Sequence, residues 1–203
     1  MFAADITEDG TWIPVLELRC FGGLCLRVEG QEPLSGEALT PVQQRLLGAL
    51  ARAPEHTLGV ADLLYQLWPG VSSESARGSL DTALLRLRRV LAGHFGREVA
   101  TRHLVLHNTR LSLRHAEVDW QWIPARLHEA LALDESGHPW QAEELLAQCF
   151  DALREPLDAD FLADVVASGD GVLWRTLLEQ AFSLWSRLLH GHGRAAERDG
   201  AAL

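Results

Sequence analysis

The chain has 203 residues, 47% of them hydrophobic, and a formal net charge of -10 at pH 7. This length and composition allow one large or two small domains with a buried core, and they exclude fibrous and disordered proteins. No apolar run approaches the roughly 18 residues that a membrane span needs, and the acidic N-terminus is unlike a secretory signal, so we expect a cytoplasmic protein that does not contact a membrane.

The basic residues are concentrated in the middle of the chain. Residues 74–115 carry 8 arginines against 3 acidic residues, a net charge of +5. Residues 1–73 carry 4 arginines against 9 acidic residues, and residues 116–203 carry 6 against 16. Because binding depends on the local field more than on the total charge, the middle segment is the candidate for contact with an anionic partner.

Strands are predicted near the beginning of the chain, after an N-terminal tail over residues 1–14. Apolar residues alternate in the segments 16–20 and 24–28, on either side of Gly22-Gly23. This alternation is typical of a β-hairpin that buries one face.

Three helices are predicted next. Thr40 followed by Pro41, with Gln43 three residues after Thr40, is typical of a capped helix beginning. The Pro-Gly pair at Pro69 ends a second helix. The third helix is predicted over residues 73–92. Because only a short turn joins the second and third helices, the pair has the proportions of a helix-turn-helix motif.

The third helix has an apolar face and a basic face. At about 100° per residue, one arc of the helix must face the core, and it contains Ala76, Leu80, Ala83, Leu84, Leu87 and Leu91. The opposite arc contains Asp81, Thr82, Leu85, Arg86 and Arg89, with Arg77 and Arg88 on the flank. Arginines on an exposed helix face are often merely solvated, so their interpretation depends on the segments that follow.

A second hairpin is predicted over residues 99–115, where leucines alternate on both sides of a turn at residues 107–109. Arg102, Arg110 and Arg114 give this hairpin a basic character. A helix-turn-helix followed by a basic hairpin is typical of a winged helix, in which the third helix enters the major groove of DNA and the hairpin contacts the adjacent backbone or minor groove.

The second and third helices also carry a recognisable set of motifs. The motifs consist of Trp68-Pro69, Ala76, Ser79-Leu80, Thr82-Ala83-Leu84 and Arg86-Leu87-Arg88-Arg89. With these motifs, residues 15–115 resemble the OmpR-type winged helix of bacterial antibiotic-regulatory (SARP-type) transcriptional activators. The resemblance implies sequence-specific binding to direct repeats in DNA, activation of transcription, and a bacterial transcriptional activator domain after the winged helix. The chain departs from the family pattern at Asp81, where arginine is common, and at Leu85, where a small polar residue is common.

The remainder, residues 116–190, is predicted to be a short helical domain of the activator type. Three amphipathic helices are expected there, with a loop over residues 155–165, and the paired helices resemble tetratricopeptide-like hairpins. A short stack leaves an apolar end, which we expect a second copy of the chain or a partner to cover, unless it packs on the winged helix. Trp174 and Trp185 are candidates for such a protein contact.

The predicted fold is therefore α+β. An N-terminal antiparallel sheet and a three-helix winged helix-turn-helix precede an all-α domain, and residues 191–203 are predicted to be a flexible C-terminal tail.

Two functions from different classes are open. In the first, the protein is a DNA-binding transcriptional regulator in which Arg86 and Thr82 contact base edges. The phosphate contacts then come from Arg77, Arg88 and Arg89, and the wing contacts from Arg102, Arg110 and Arg114. In this function Asp81 repels phosphate and can contribute only by accepting a hydrogen bond from a cytosine amino group. Leu85 can contact only the methyl group of a thymine.

In the second, the winged helix no longer binds DNA and acts as a protein–protein adaptor or co-regulator. Asp81 and Leu85 would then lie in a protein contact, since an exposed leucine flanked by charges is typical of an interface rim. The net charge of -10 also opposes non-specific binding to DNA. The partners expected from the sequence are double-stranded DNA, a second copy of the chain in a homodimer, and RNA polymerase or another regulator.

An enzyme is not predicted. The nine histidines show no metal-ligand spacing on a helix and are interpreted as surface polar residues. Cys20, Cys25 and Cys149 are odd in number and lack CxxC spacing, which indicates buried free thiols in a reducing compartment. No phosphate-binding loop and no activated nucleophile are recognisable, so no cofactor and no metal are expected.

Overall fold

The computed structural model describes residues 5–6, 12–157 and 159–200. The chain divides into two compact units, Met1–Gln121 with Pro156–Phe161, and Trp122–Glu155 with Leu162–Leu203. Strands and helices are interspersed up to Val118, and the described elements that follow are helices, which confirms the predicted α+β class. Among the described residues, no helix combines the length and the apolar character that crossing a membrane requires.

Two short strands lie where the sequence predicted an N-terminal tail. β1 (Asp5–Ile6) pairs antiparallel with β2 (Trp12–Ile13). The Ile13 side chain is buried, and the burial of this apolar group explains why the second strand is held in place. Residues 1–4 and 7–11 of the predicted tail lie outside the described residues.

A four-stranded sheet in the order β5-β4-β3-β9 follows. β3 (Leu16–Arg19) and β4 (Cys25–Val28) form the predicted hairpin, and Gly22-Gly23 at its turn has the positive φ angles that favour glycine. β5 (Leu34–Ser35) pairs antiparallel with β4, whereas β9 (Ala116–Val118) runs parallel to β3.

The first two helices are α1 (Pro41–Arg52) and α2 (Val60–Leu67). The predicted capping pattern is confirmed, because the Thr40 backbone N–H donates to Gln43 Oε1 at 2.8 Å. α1 buries Leu46, Leu47 and Leu50 against the core of the first unit.

The third helix, α3 (Ser73–Phe95), begins where the sequence predicts. Ser72 caps it by accepting a hydrogen bond from the Ser75 N–H at 3.4 Å. The helix continues beyond the predicted end at residue 92 because Phe95 is buried four residues after the buried Leu91, on the same side of the helix.

A three-stranded sheet in the order β6-β8-β7 contains the wing. Its strands are β6 (Thr57–Gly59), β7 (Leu104–His107) and β8 (Arg110–Leu113). β7 and β8 form an antiparallel hairpin, and β6, which immediately precedes α2, is antiparallel to β8. The sheet thereby links the wing to the helix-turn-helix.

The wing hairpin is shorter than predicted. Residues 99–103 belong to a further helix, α4 (Arg97–His103), and the hairpin begins only at Leu104. Val99, Ala100 and His103 are buried at helical spacing, which explains why this segment is not a strand. The prediction of a hairpin over 99–115 is therefore wrong for residues 99–103, and so is the interpretation of His103 as a surface residue.

After β9, the described residues form helices α5 (Asp119–Glu135), α6 (Pro139–Ala152), α7 (Ala159–Ser168) and α8 (Asp170–Gly200). The loop predicted over residues 155–165 is wrong from Ala159 onward, because α7 begins there. Its buried residues Phe161 and Val165 are four positions apart, the spacing of a helix stripe.

In the second unit, α6 and α8 pack against each other through aromatic rings. Phe150 lies 5.5 Å from Trp185 and 6.1 Å from Phe182, measured between ring centroids. α8 buries Leu177, Ala181, Leu184 and Leu188 along one stripe, as its sequence pattern indicates. The helix extends to Gly200, where a tail was predicted from residue 191, and residues 201–203 lie outside the described residues.

Candidate nucleic-acid interface

The orientation of α3 is set by its apolar stripe. The buried residues are those that the 100° periodicity places toward the core: Ala76, Leu80, Ala83, Leu84, Leu87 and Leu91. The opposite side is exposed, and its residues include Asp81, Thr82, Leu85, Arg86 and Arg89. The predicted orientation of the helix is therefore confirmed.

Arg77 and Asp81 on this helix form an ion pair. Arg77 Nε lies 3.2 Å from Asp81 Oδ1 and 3.3 Å from Oδ2, across one turn of the helix. An exposed pair of this kind contributes only about 0.3–0.5 kcal/mol to stability. Its larger effect is that each side chain partly neutralises the charge of the other.

The Thr82 hydroxyl is engaged within α3. Thr82 Oγ1 donates a hydrogen bond to the Gly78 carbonyl oxygen at 2.9 Å. This bond uses the hydroxyl proton, so the side chain has only its oxygen lone pairs and its methyl group left for a contact with another molecule.

Arg88 joins α3 to the wing. Its Nη2 donates to the Leu104 carbonyl oxygen at 3.0 Å, and the side chain is half-buried. The predicted flank position is confirmed, but the guanidinium is bound to the chain's own backbone at the first residue of β7.

Two further contacts fix the wing to the helix-turn-helix. The Val60 N–H, at the first residue of α2, donates to the Thr109 carbonyl oxygen in the wing turn at 2.7 Å. Thr57 Oγ1 donates to Ser112 Oγ at 2.9 Å between β6 and β8. Together with the Arg88 bond, these contacts place the hairpin in a fixed position relative to α3.

The three arginines predicted for the wing lie in different places. Arg110, the first residue of β8, and Arg114, just after β8, are exposed on the hairpin. Arg102 lies on α4 and pairs with Glu98 at 3.0 Å, because residues 97–103 are helical. Among the described residues, neither Arg110 nor Arg114 takes part in an ion pair with an acidic side chain.

Arg86 and Arg89 differ from the other arginines of α3. Both side chains are exposed, and within the described part of the chain neither has an acidic partner. They lie three residues apart on the side opposite the buried stripe, so two guanidinium groups are presented together on one face.

A groove that the sequence did not predict lies beside the beginning of α3. Its volume is about 510 Å³, and its lining includes Leu64, Tyr65, Trp68, Val71, Arg77 and Thr109. Tyr65 is 80% exposed and Val71 is also exposed. The sequence could have indicated this groove, because Tyr65 lies outside the buried stripe of α2, which is formed by Val60, Leu63 and Leu67.

His103 anchors the beginning of the wing. It is fully buried, with Nδ1 2.9 Å from the Val99 carbonyl oxygen and Nε2 2.8 Å from the Pro14 carbonyl oxygen. Burial lowers the pKa of His103 below its ordinary value, although both carbonyl groups act in the opposite direction. A neutral ring donates only one of these two hydrogen bonds.

Asp119 fastens the beginning of α5 to the first hairpin. Its carboxylate accepts hydrogen bonds from the backbone N–H groups of Cys20, at 2.8 and 2.9 Å, of Phe21, at 3.0 Å, and of Trp120, at 2.8 Å. Burial raises the pKa of the Asp119 carboxyl group, and the N–H donors oppose that rise. Asp119 thus has a structural role at the junction of the first hairpin and α5.

The two tryptophans predicted for a protein contact lie on α8. Trp185 is half-buried and packs on Phe150, so much of its ring already lies within the second unit. Trp174 is also half-buried. Apolar side chains on the same helix that do reach the surface are Val172, Leu173, Phe182 and Leu189.

Comparison with known proteins gives a structural similarity only. No protein-family model and no curated protein matches the chain. The fold is similar to that of EmbR from Mycobacterium tuberculosis, solved in complex with a low-affinity phosphopeptide, with a TM-score of 0.71 and 20% sequence identity. The alignment covers 91% of this chain and 48% of EmbR, so the chain spans about half the length of that protein.

Proposed function

We propose that the protein is a transcriptional regulator that binds double-stranded DNA, with α3 in the major groove and the β7–β8 hairpin as the wing. The observation that carries the proposal is the pair of exposed guanidinium groups of Arg86 and Arg89, which lie on one face of α3 without an acidic partner among the described residues. Guanidinium groups are the usual donors to guanine O6 and N7 and to phosphate oxygens.

The fold supports this proposal. EmbR, whose fold the chain shares, is a regulator of the SARP family. The motifs of α2 and α3 resemble the same family, and one contact each from α3, α2 and β6 holds the hairpin in the position that a winged helix requires. We assign DNA binding to residues 15–115 and propose that a homodimer binds direct repeats through two copies of this region.

The arginines have different roles in this proposal. Arg86 contacts base edges, Arg89 holds a phosphate, and Arg110 and Arg114 contact the backbone next to the wing. Arg88 acts as a positioning residue through its bond to Leu104. Arg77 and Arg102 contribute less to phosphate binding than the sequence suggests, because their guanidinium groups are paired with Asp81 and Glu98.

The proposal is tested by band-shift titration of the full chain with a pool of randomised duplexes over a range of salt concentrations. A regulator of this kind binds at about 50 mM salt and loses affinity steeply as salt rises, because binding releases counterions. The double variant Arg86→Ala/Arg89→Ala abolishes the shift.

The matched control for this titration is Arg154→Ala/Arg175→Ala, which removes the same charge from exposed, ion-paired sites in the second unit. This control leaves the shift in place. Equal losses from the two double variants would overturn the assignment of Arg86 and Arg89.

A protein–protein adaptor is the second candidate, and the groove beside α3 favours it. The exposed Tyr65 and Val71 next to a groove of about 510 Å³ are suited to an apolar side chain of a partner such as RNA polymerase or another regulator. An adaptor without DNA binding gives no shift at any salt concentration, and the variant Tyr65→Ser then abolishes its binding to that partner in a pull-down with the purified proteins.

A further inference from the structure

The exposed face of α3 contains an apolar surface between its polar residues. Leu85 is 51% exposed, although it lies in the middle of a helix whose other leucines are buried. It follows Thr82 by three residues and precedes Arg89 by four, so these three side chains are neighbours on the helix surface. An exposed leucine at the centre of a proposed base-contacting face requires an explanation.

The polar groups that compete with Leu85 for base contacts are engaged elsewhere. Asp81 is paired with Arg77, and the Thr82 hydroxyl donates to Gly78. What α3 presents outward at its centre is therefore hydrocarbon from Leu85, beside the guanidinium groups of Arg86 and Arg89. An acidic or amide group that would select cytosine or adenine is not freely available on this part of the helix.

We infer that Leu85 determines specificity by packing against the 5-methyl group of a thymine that adjoins a guanine contacted by Arg86. This inference rests on the proposed function. Thymine is the base that presents an apolar group in the major groove, and guanine is the base that arginine contacts with two hydrogen bonds. Leu85 and Arg86 are consecutive residues on the exposed side of α3, about 1.5 Å apart along its axis, so a helix that lies in the major groove brings both side chains to neighbouring base pairs.

The experiment uses the full chain and the duplex that it selects from a random pool. Each thymine of the selected site is replaced in turn by uracil, which removes the methyl group and keeps all hydrogen-bonding groups. We expect one replacement to weaken binding of the unsubstituted protein about fourfold, the effect of burying one methyl-sized group. The same replacement has no effect on Leu85→Ala, whereas Leu85→Met keeps part of the effect.

The control variant is Leu189→Ala, which shortens a leucine of similar exposure, 46%, on α8. It retains the full difference between thymine and uracil. Far-UV circular dichroism confirms that each variant is folded, and the uracil series on the unsubstituted protein tests the inference without any variant.

The outcomes separate the inference from the proposed function. If the protein selects a duplex but no thymine-to-uracil replacement weakens binding, or if Leu85→Ala retains the difference, the inference is wrong and the DNA-binding regulator stands. If no duplex is bound at about 50 mM salt, the proposed function fails, and the inference fails with it. The inference is also overturned if Leu85→Ala keeps the preference for thymine over uracil but no longer binds a protein partner.

Discussion

Arg88 Nη2 donates a hydrogen bond of 3.0 Å to the carbonyl oxygen of Leu104. This bond joins the middle of α3 to the first residue of the wing strand β7, 16 residues later in the chain. A guanidinium bound in this way stabilises the angle between the helix and the hairpin. It also makes Arg88 different in kind from its neighbour Arg89, whose side chain is exposed.

The first prediction separates these two arginines by salt dependence. Arg89→Ala removes the proposed phosphate contact, and we expect it to lower the slope of log K against log salt by about 1. Arg88→Ala weakens binding through a displaced wing and leaves the slope unchanged, while the melting temperature falls. Band-shift titrations at four or more salt concentrations give both slopes. A lower slope with an unchanged melting temperature in Arg88→Ala would show that Arg88 binds phosphate instead.

The second prediction concerns the Asp81 carboxylate on the exposed side of α3, which we propose to face DNA. Asp81→Ala removes a negative charge from this surface and releases Arg77 from its ion pair. We expect the affinity for DNA to rise about fivefold at low salt, the effect of roughly 1 kcal/mol of electrostatic free energy. The control Glu98→Ala breaks the corresponding pair with Arg102 on α4 and changes affinity less. Weaker binding by Asp81→Ala would mean that Asp81 accepts from a cytosine.

The third prediction is a pH dependence of folding from His103. Its pKa is lowered in the folded protein by burial, and an unfolded histidine has a pKa near 6.5. The folded state therefore binds the proton less readily than the unfolded chain. The contribution of neutral His103 to the free energy of unfolding is therefore complete above about pH 6.5, and it is lost as pH falls through the folded-state pKa of His103.

Urea unfolding between pH 7.5 and 5.5 checks this dependence. His103→Gln shows a smaller fall in the free energy of unfolding than the unsubstituted protein. Some fall persists because burial also lowers the pKa of His56. The exposed His107 provides the control, since His107→Gln keeps the full pH dependence. Identical profiles for the two variants would contradict the role of His103.

The fourth prediction concerns the buried carboxylate of Asp119. Asp119→Ala removes the acceptor of three backbone N–H groups, those of Cys20, Phe21 and Trp120. We expect a loss of at least about 3 kcal/mol in the free energy of unfolding, because each of the three donors that lose their acceptor costs roughly 1–3 kcal/mol. Glu117→Ala, at an exposed position on β9, changes it by less than about 0.5 kcal/mol. Equal denaturation midpoints for the two variants would refute the assignment.

Residue spacing within the sequence was sufficient to predict the features of the fold that depend only on nearby residues. The rotation of α3 follows from the spacing of Leu80, Leu84, Leu87 and Leu91, and the Thr40–Gln43 cap follows from residue types at fixed offsets. The Arg77–Asp81 ion pair could also have been predicted from the sequence, because the two residues are four positions apart on a helix.

The helices α4 and α7 and the Arg88–Leu104 bond were not predicted from the sequence, and each has a physical reason. The segment before Leu104 is too short for periodicity to separate a strand from a helix, and the helix is stabilised by burial of Val99 and His103. α7 follows a proline and carries acidic residues, a composition that is typical of a loop. Its helical structure depends on the burial of Phe161, and that burial requires residues distant in the sequence. The Arg88–Leu104 bond depends on the tertiary fold, which no local pattern specifies.

The central claim is that Arg86 and Arg89 bind DNA. The most direct measurement is the salt-dependent band shift of the full chain, compared with Arg86→Ala/Arg89→Ala and Arg154→Ala/Arg175→Ala. We predict binding at about 50 mM salt that declines steeply as salt rises, is lost in the first double variant and is retained in the second. No shift at about 50 mM salt, or the same loss in both double variants, would contradict the claim.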